Sequence, residues 1–143
     1  MSISLHRFGV RRLESDEIEK LLEETKIARV CCHNEDGSIH ATPVWFRYKD
    51  GCIRIVIHRE SRKARNIKRN KNITILVDEL RPPRMVMIYG LAELDDVDVI
   101  NKAVYVNEKY QSKEDARATV EGYFKETDLI LTVKPKRMIT FTM

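Results

Sequence analysis

Apolar residues recur at every second position in several short segments of the chain. Ile53, Ile55 and Ile57 follow this spacing, as do the apolar residues at positions 73, 75 and 77. Because successive side chains of a β-strand point to opposite faces of a sheet, the spacing predicts strands with one buried face. Further segments of β-forming composition lie at residues 27–33, 38–48, 84–94, 129–133 and 137–142.

Two Asp-Gly pairs lie between the first predicted strands, at positions 36–37 and 50–51. Asp-Gly is typical of tight hairpin turns. The pairs therefore predict that residues 27–58 form consecutive antiparallel hairpins, that is, a meander. Pro43 has no N–H to donate, so its strand is predicted to lie at a sheet edge or to be bulged at that point.

Helical spacing is found before and between these strands. A first helix is predicted to begin at Ser15, an N-cap residue followed by acidic residues and by an apolar stripe that includes Leu21 and Leu22. Further helices are predicted at residues 61–70, 96–110 and 112–124. In the last of these, Ser112 is the predicted N-cap, and the predicted buried stripe consists of Ala116, Val120, Tyr123 and Phe124. Strands with inserted helices predict a mainly β fold, an antiparallel barrel or strongly curved sheet with peripheral helices.

Length and composition bound the class of protein. A chain of 143 residues can bury one sizeable core, so residues 1–143 are predicted to form a single domain. No apolar run approaches the roughly 20 residues that cross a bilayer, and we expect a cytoplasmic protein without a membrane partner. Three cysteines without metal-ligand spacing indicate neither a disulfide framework nor a metal site. The net charge of +4 fits a nucleic-acid binder or a site for phosphorylated ligands, if the charge is concentrated.

The positive charge is concentrated at residues 61–70, which hold five cations directly after an apolar strand. A helix N-terminus offers free backbone N–H groups, and Arg62 and Lys63 in its first turn add charged donors. This arrangement could bind a phosphate, although an ordinary solvated basic helix fits the same residues. Nucleic-acid binding is a third interpretation, but aromatic residues do not interleave with the basic run as stacking platforms would.

The segment at positions 41–46 is the second unusual feature. Pro43 would leave backbone groups of its strand unpaired, and such groups can bind a planar ligand. Trp45 could supply a flat wall for that ligand, or it could simply pack in a core or an interface. His40, His58 and Tyr89 are candidate acid-base groups by residue type, but none has a recognisable partner, and no catalytic residue is assigned.

Several of these segments, taken in order, resemble the pyridoxamine 5'-phosphate oxidase-like family of FMN-binding split barrels. The resemblance covers residues 27 to 94 and is carried by the segments at positions 28–30, 37–46, 57–67, 72–75 and 90–93. It implies a six-stranded antiparallel split β-barrel with peripheral helices that works as a homodimer. It also implies FMN as the cofactor, bound in a groove between the two subunits.

The resemblance further implies how the phosphate end of the cofactor is bound. By position, Ser61, Arg62 and Lys63 would grip the FMN phosphate. Ile57 and His58 would line the ribityl or ring region.

The ring end involves different segments. The isoalloxazine would meet the backbone groups of Pro43, Val44, Trp45 and Phe46. Met85 stands where the vitamin oxidase has a glutamine that contacts the flavin. The oxidase's C-terminal substrate-binding segment is also replaced, by residues 134–137 and a short strand. Oxidation of pyridoxine phosphate is therefore not expected.

The resulting expectation is a dimeric flavin-dependent oxidoreductase of unknown substrate. A deazaflavin-dependent reductase is an alternative, because a deazaflavin would use the same cations for its longer anionic tail. A non-enzymatic flavin carrier or sensor is another. A basic nucleic-acid-binding domain is the interpretation that the sequence favours least.

Overall fold

The computed structural model describes residues 9–123 and 126–143. Within these ranges the strands are β1 (Ala28–His33), β2 (Ile39–Val44), β3 (Arg47–Lys49), β4 (Cys52–His58), β5 (Asn72–Glu79), β6 (Arg84–Asp95) and β7 (Asp128–Thr142). The helices are α1 (Ser15–Glu24), α2 (Arg62–Arg69), α3 (Val99–Asn107) and α4 (Lys113–Tyr123). The mainly β prediction with peripheral helices is confirmed.

The strands form one antiparallel sheet in the order β2-β1-β5-β6-β7-β4-β3. β2 and β3 lie at opposite edges of this sheet, yet only Trp45 and Phe46 separate them in the chain. Three residue steps, from Val44 to Arg47, span at most about 10 Å. The sheet must therefore curl until its two edges approach each other, which makes it a half-barrel.

The expected number of six strands is wrong, because the described sheet has seven. Residues 38–48 were predicted as one strand, but the strand ends at Val44, and β3 begins at Arg47 on the opposite edge. The predicted meander is wrong for the same reason, since β2 pairs with β1 and β3 pairs with β4. The two Asp-Gly hairpins themselves are confirmed, as is the placement of Pro43 in an edge strand.

The two strands predicted at residues 129–133 and 137–142 are a single strand, β7. Pro135 is accommodated there because β4 pairs with β7 only as far as Val133, so that in the described sheet Pro135 has a strand neighbour on one side alone, at Gly90 of β6. The register also shifts between Tyr89 and Gly90 of β6. A Cβ atom on Gly90 would lie 2.8 Å from the carbonyl oxygen of Lys134, which explains why glycine stands at this close approach.

The inner face of the curled sheet encloses the main core. Phe46 and the alternating residues Ile53 and Ile55 are fully buried in it. Leu21 and Leu22 of α1 close the core from one side. A second, smaller cluster lies on the outer face of β4, where Val56 packs against α3 and α4; its buried members are Ala103, Val104, Ala116 and Val120.

Helix boundaries differ from the predictions by a few residues. The N-cap of α1 is Glu14, which exchanges hydrogen bonds with Glu17, and Ser15 is the first helical residue. The Ser112 hydroxyl accepts a hydrogen bond from the Asp115 N–H, as predicted for an N-cap. Tyr123 was predicted to be buried but is 77% exposed, and Phe124 lies outside the described residues. Within those residues, no helix has the length and apolar character needed to span a bilayer.

Candidate functional site

The N-terminus of α2 follows a tight turn at the end of β4. The Ser61 N–H donates to the carbonyl of His58 at 3.0 Å. The Ser61 hydroxyl accepts from the Ala64 N–H at 3.1 Å and so caps the helix. These two bonds hold the first turn of the helix in a defined orientation relative to β4.

The first turn of α2 presents donors that have no acceptor in the described chain. The backbone N–H groups of Arg62 and Lys63 have no hydrogen-bond partner there. No described carboxylate lies within ion-pair distance of the five cations, which are Arg62, Lys63, Arg65, Lys68 and Arg69. Free N–H groups, the positive end of the helix dipole and unpaired cations together favour an anionic ligand.

Lys63 connects this turn to the edge strand β2. Its Nζ donates to Oγ1 of Thr42 at 2.9 Å. His40 lies two residues earlier on the same face of β2 and is half-buried. Burial lowers the pKa of His40, and the positive charges of Lys63 and Arg62 lower it further. His40 is therefore neutral near pH 7, so the positive charge near this end of β2 comes from Arg62 and Lys63 of α2.

His58 and Ile57 lie at the end of β4, directly before this turn. His58 Nδ1 accepts from the Glu60 N–H at 3.1 Å, and Nε2 lies 3.0 Å from Oγ1 of Thr127. An imidazole that accepts at Nδ1 carries its proton on Nε2, so Nε2 donates to Thr127. The Ile57 side chain is 4% exposed and belongs to the core. Only backbone atoms of Ile57 are available to a ligand.

Trp45 and Phe46 form the crossing between the two sheet edges, and Tyr110 holds this crossing. The Phe46 N–H donates to the Tyr110 hydroxyl at 2.9 Å. That hydroxyl also lies 2.8 Å from the carbonyl oxygen of Lys26 and 3.0 Å from that of Phe46. The Trp45 ring stacks on the Tyr110 ring with centroids 4.3 Å apart, yet 43% of Trp45 is exposed.

Lys109 covers the other side of the crossing. Its Nζ lies 3.5 Å from the centroid of the Phe46 ring and donates to the carbonyl of Leu22 at 3.0 Å. Burial lowers the pKa of Lys109 to about 8, and the charges of Lys26 and Arg47 contribute. Sequence reasoning missed Lys109 and Tyr110, since neither belongs to a motif and their roles depend on contacts between segments distant in the chain.

Met85 lies apart from the residues described above. It is half-buried on the outer face of β6, opposite Phe141 of β7. β6 is three strands away from β2 in the sheet, a distance of roughly 14 Å at normal strand spacing. One copy of the chain therefore groups positions 42–46 with the α2 turn but does not bring Met85 to them.

Comparison with known proteins bears on this arrangement. The family model described as pyridoxamine 5'-phosphate oxidase matches residues 15–137. Among curated protein sequences, no significant match was found.

Solved structures share the fold. The conserved hypothetical protein Rv2991 from Mycobacterium tuberculosis superposes with a TM-score of 0.80 at 20% identity, covering 91% of this chain and 85% of that one. An F420 reductase superposes with a TM-score of 0.68 at 21% identity, covering 85% of this chain and 94% of that one. A FAD-binding protein from Mesorhizobium loti superposes with a TM-score of 0.70 at 17% identity, covering 94% of this chain and 98% of that one. Since the family match extends from α1 into β7, the chain belongs to the pyridoxamine 5'-phosphate oxidase-like family.

Proposed function

We propose that this protein binds FMN and acts as a flavin-dependent oxidoreductase. The observation that carries the proposal is the first turn of α2, where two free backbone N–H groups coincide with cations that have no described carboxylate within ion-pair distance. A phosphate monoester carries up to two negative charges and several acceptor oxygens. It matches this set of donors in both charge and hydrogen bonding.

Each residue of the turn has a separate task in this proposal. Ser61 caps the helix and keeps its first N–H groups pointing outward. Arg62 is exposed and free to form two parallel hydrogen bonds with phosphate oxygens. Lys63 contributes charge from a position fixed by Thr42. His58 and the backbone of Ile57 lie next along the chain and would contact the ribityl portion.

The ring system of the flavin would lie along the free edge of β2. Its backbone groups on that side have no strand partner within the described chain. The ring would meet the backbone of Pro43, Val44 and Trp45. The Phe46 N–H and C=O both contact Tyr110, so Phe46 would support the crossing from behind. When bound, the flavin would supply hydride or electron transfer, and these residues would orient it.

The proposal includes a homodimer. The interior of the curled sheet is filled by its own side chains, so a three-ring ligand has to lie against the outside. The outer face carries a cross-strand row of apolar residues, Leu76, Met87 and Ile139, that no described helix covers. Met85 lies on this same face. A second copy packed there would bury the row and bring its Met85 to the flavin of the first.

A deazaflavin is the second candidate cofactor. One structural neighbour is an F420 reductase. Arg65 and Lys68 are exposed farther along α2, where they could meet additional negative charges of a longer tail. Replacing both should weaken deazaflavin binding while leaving FMN binding unchanged. A carrier or sensor would use the same site and would bind FMN without catalysing the turnover of a substrate.

The test is the double substitution Arg62→Ala/Lys63→Ala. We expect it to abolish FMN retention while the far-ultraviolet circular dichroism stays unchanged. The matched control, Lys68→Ala/Lys113→Ala, removes the same charge from exposed positions away from the first turn of α2 and should retain FMN. Equal retention in both variants would place the phosphate elsewhere and contradict the proposal.

A further inference from the structure

The β3–β4 hairpin carries a group of cations that the proposed flavin site does not use. Arg47 is the direct cross-strand partner of Arg54, and Lys49 is the partner of Cys52. Directly opposed residues share a face of an antiparallel pair, as do alternate residues of one strand. These four side chains therefore lie together on the outer face, while Ile53 between them points into the core.

The outer face of the hairpin forms the wall of a cavity. Its volume is about 290 Å³, and its lining residues are Arg47, Lys49, Asp50, Cys52, Arg54 and Tyr105. That is about ten times the volume of a water molecule in the liquid. The guanidinium carbon of Arg47 lies 3.9 Å from the centroid of the Tyr105 ring, and Nζ of Lys49 lies 5.4 Å from it. A small organic molecule fits this space.

Three cations, Arg47, Lys49 and Arg54, line the cavity together with one carboxylate, that of Asp50. Like charges directly opposite each other in a sheet repel, and Arg47 and Arg54 occupy such positions. Glu108 lies 3.6 Å from Arg47, but no described carboxylate lies within ion-pair distance of Lys49 or Arg54. Asp95 is near Arg54, yet its carboxylate accepts a hydrogen bond from Lys102 at 2.9 Å.

The hydroxyl of Tyr105 is buried and has no hydrogen-bond partner in the described chain. Buried polar groups without a partner are uncommon, because they are unfavourable. The guanidinium groups of Arg47 and Arg54 and the ammonium group of Lys49 line the cavity and can only donate hydrogen bonds, so an acceptor-rich ligand is their natural complement.

We propose that this cavity binds a small organic anion through a carboxylate or phosphate group held by Arg54 and Lys49. The planar fork of Arg54 matches both groups, and an anion between Arg47 and Arg54 would relieve their repulsion. Arg54 lies four residues from His58 along β4, about 13 Å at the rise of a strand. The site is therefore separate from the α2 turn and does not depend on the flavin proposal.

The experiment is an amide NMR titration of the full chain with succinate and, separately, with inorganic phosphate. It is performed in the Arg62→Ala/Lys63→Ala background, so that the α2 turn does not compete for the anion. We expect saturable shifts in residues 47–54 and around Tyr105. A response to succinate alone identifies a carboxylate ligand, a response to phosphate alone identifies a phosphate ligand, and both support the site.

Two further variants connect the binding to individual side chains. Arg54→Gln and Lys49→Gln should each weaken binding about tenfold, as expected for loss of one charge-assisted hydrogen bond. Lys113→Gln, an exposed control on α4, should bind normally. Arg54→Gln removes a like-charge contact, so its ligand-free melting temperature should not fall. Absence of saturable shifts in the hairpin, or unchanged binding in both variants, would overturn the proposal.

Discussion

The ammonium group of Lys63 donates a hydrogen bond to the hydroxyl of Thr42 at 2.9 Å. The bond joins the first turn of α2 to the edge strand β2, and its two residues are 21 positions apart in the chain. It thereby places a cation of the proposed phosphate site beside the strand proposed to meet the flavin ring. Both parts of the proposed cofactor site depend on this contact.

Removing the hydroxyl of Thr42 tests that relationship. Thr42→Val keeps the shape of the side chain, but Lys63 loses its acceptor and becomes mobile. We expect FMN affinity to fall about fivefold, the equivalent of about 1 kcal/mol for one hydrogen bond. Fluorescence quenching of added FMN measures the change.

The matched control for this variant is Thr119→Val in α4. It also removes a hydroxyl that accepts a side-chain hydrogen bond, here from Nε2 of Gln111 at 2.9 Å. That bond lies between α4 and the residues before it, so its loss should leave FMN affinity unchanged. An equal effect of the two variants would contradict the role of Lys63.

Tyr110 is expected to stabilise the crossing between β2 and β3. Tyr110→Phe keeps the ring that stacks on Trp45 but leaves the Phe46 N–H without its acceptor. We expect the free energy of unfolding to fall by about 1–3 kcal/mol. Urea denaturation measures it. Tyr123→Phe should change nothing, because Tyr123 is 77% exposed. If Tyr110→Phe had the same free energy of unfolding as the wild type, the crossing would not need the hydroxyl.

The lowered pKa of Lys109 predicts that the free energy of unfolding depends on pH in a specific way. Its pKa in the folded protein is about 8, below the value of 10.5 for an unperturbed lysine. Between these two pH values the unfolded chain binds more protons than the folded one, so the folded state gains stability as the pH rises. Below pH 8 both states are protonated, and the contribution is constant.

The difference in unfolding free energy between the wild type and Lys109→Met isolates this effect. The difference should shift in favour of the wild type as the pH rises from about 8 to about 10.5. Other titrating groups are common to both proteins and cancel. A difference that does not change across this window would mean that Lys109 is not desolvated in the folded protein.

Gly90 is expected to be required by the backbone of β7. In Gly90→Ala the new methyl group would lie 2.8 Å from both the Lys134 carbonyl oxygen and Cγ1 of Val133. We expect destabilisation of about 1–3 kcal/mol from this overpacking. Gly122→Ala is the matched control, since nothing lies within 4 Å of its Cβ position in α4. There alanine should stabilise by up to about 1 kcal/mol, and similar effects at both sites would contradict the close approach.

The strands and turns were largely predictable because they depend on local pattern. Ile53, Ile55 and Ile57 are all buried as their spacing predicts. The break of the strand after Val44 was not predictable from the sequence. Residues 38–48 are β-forming throughout, and the contact that fixes the break comes from Tyr110, 64 residues beyond Phe46. The sheet order follows from that break and was missed with it.

The candidate site likewise contains local features that the sequence predicts and tertiary contacts that it does not predict. The basic helix predicted at residues 61–70 is a local feature, and the structure confirms it as α2. The bond from Lys63 to Thr42 and the contacts of Lys109 depend on tertiary structure, which no motif encodes. The roles of Ser61, Arg62 and Lys63 toward a phosphate remain predictions.

The identity of the small molecule released by heating the purified protein tests the central claim most directly. Mass spectrometry of the released fraction should find FMN, and the protein before heating should show the absorption bands of oxidised flavin. The proposed function would be contradicted if heating released neither a flavin nor a deazaflavin and the protein without bound cofactor did not take up added FMN.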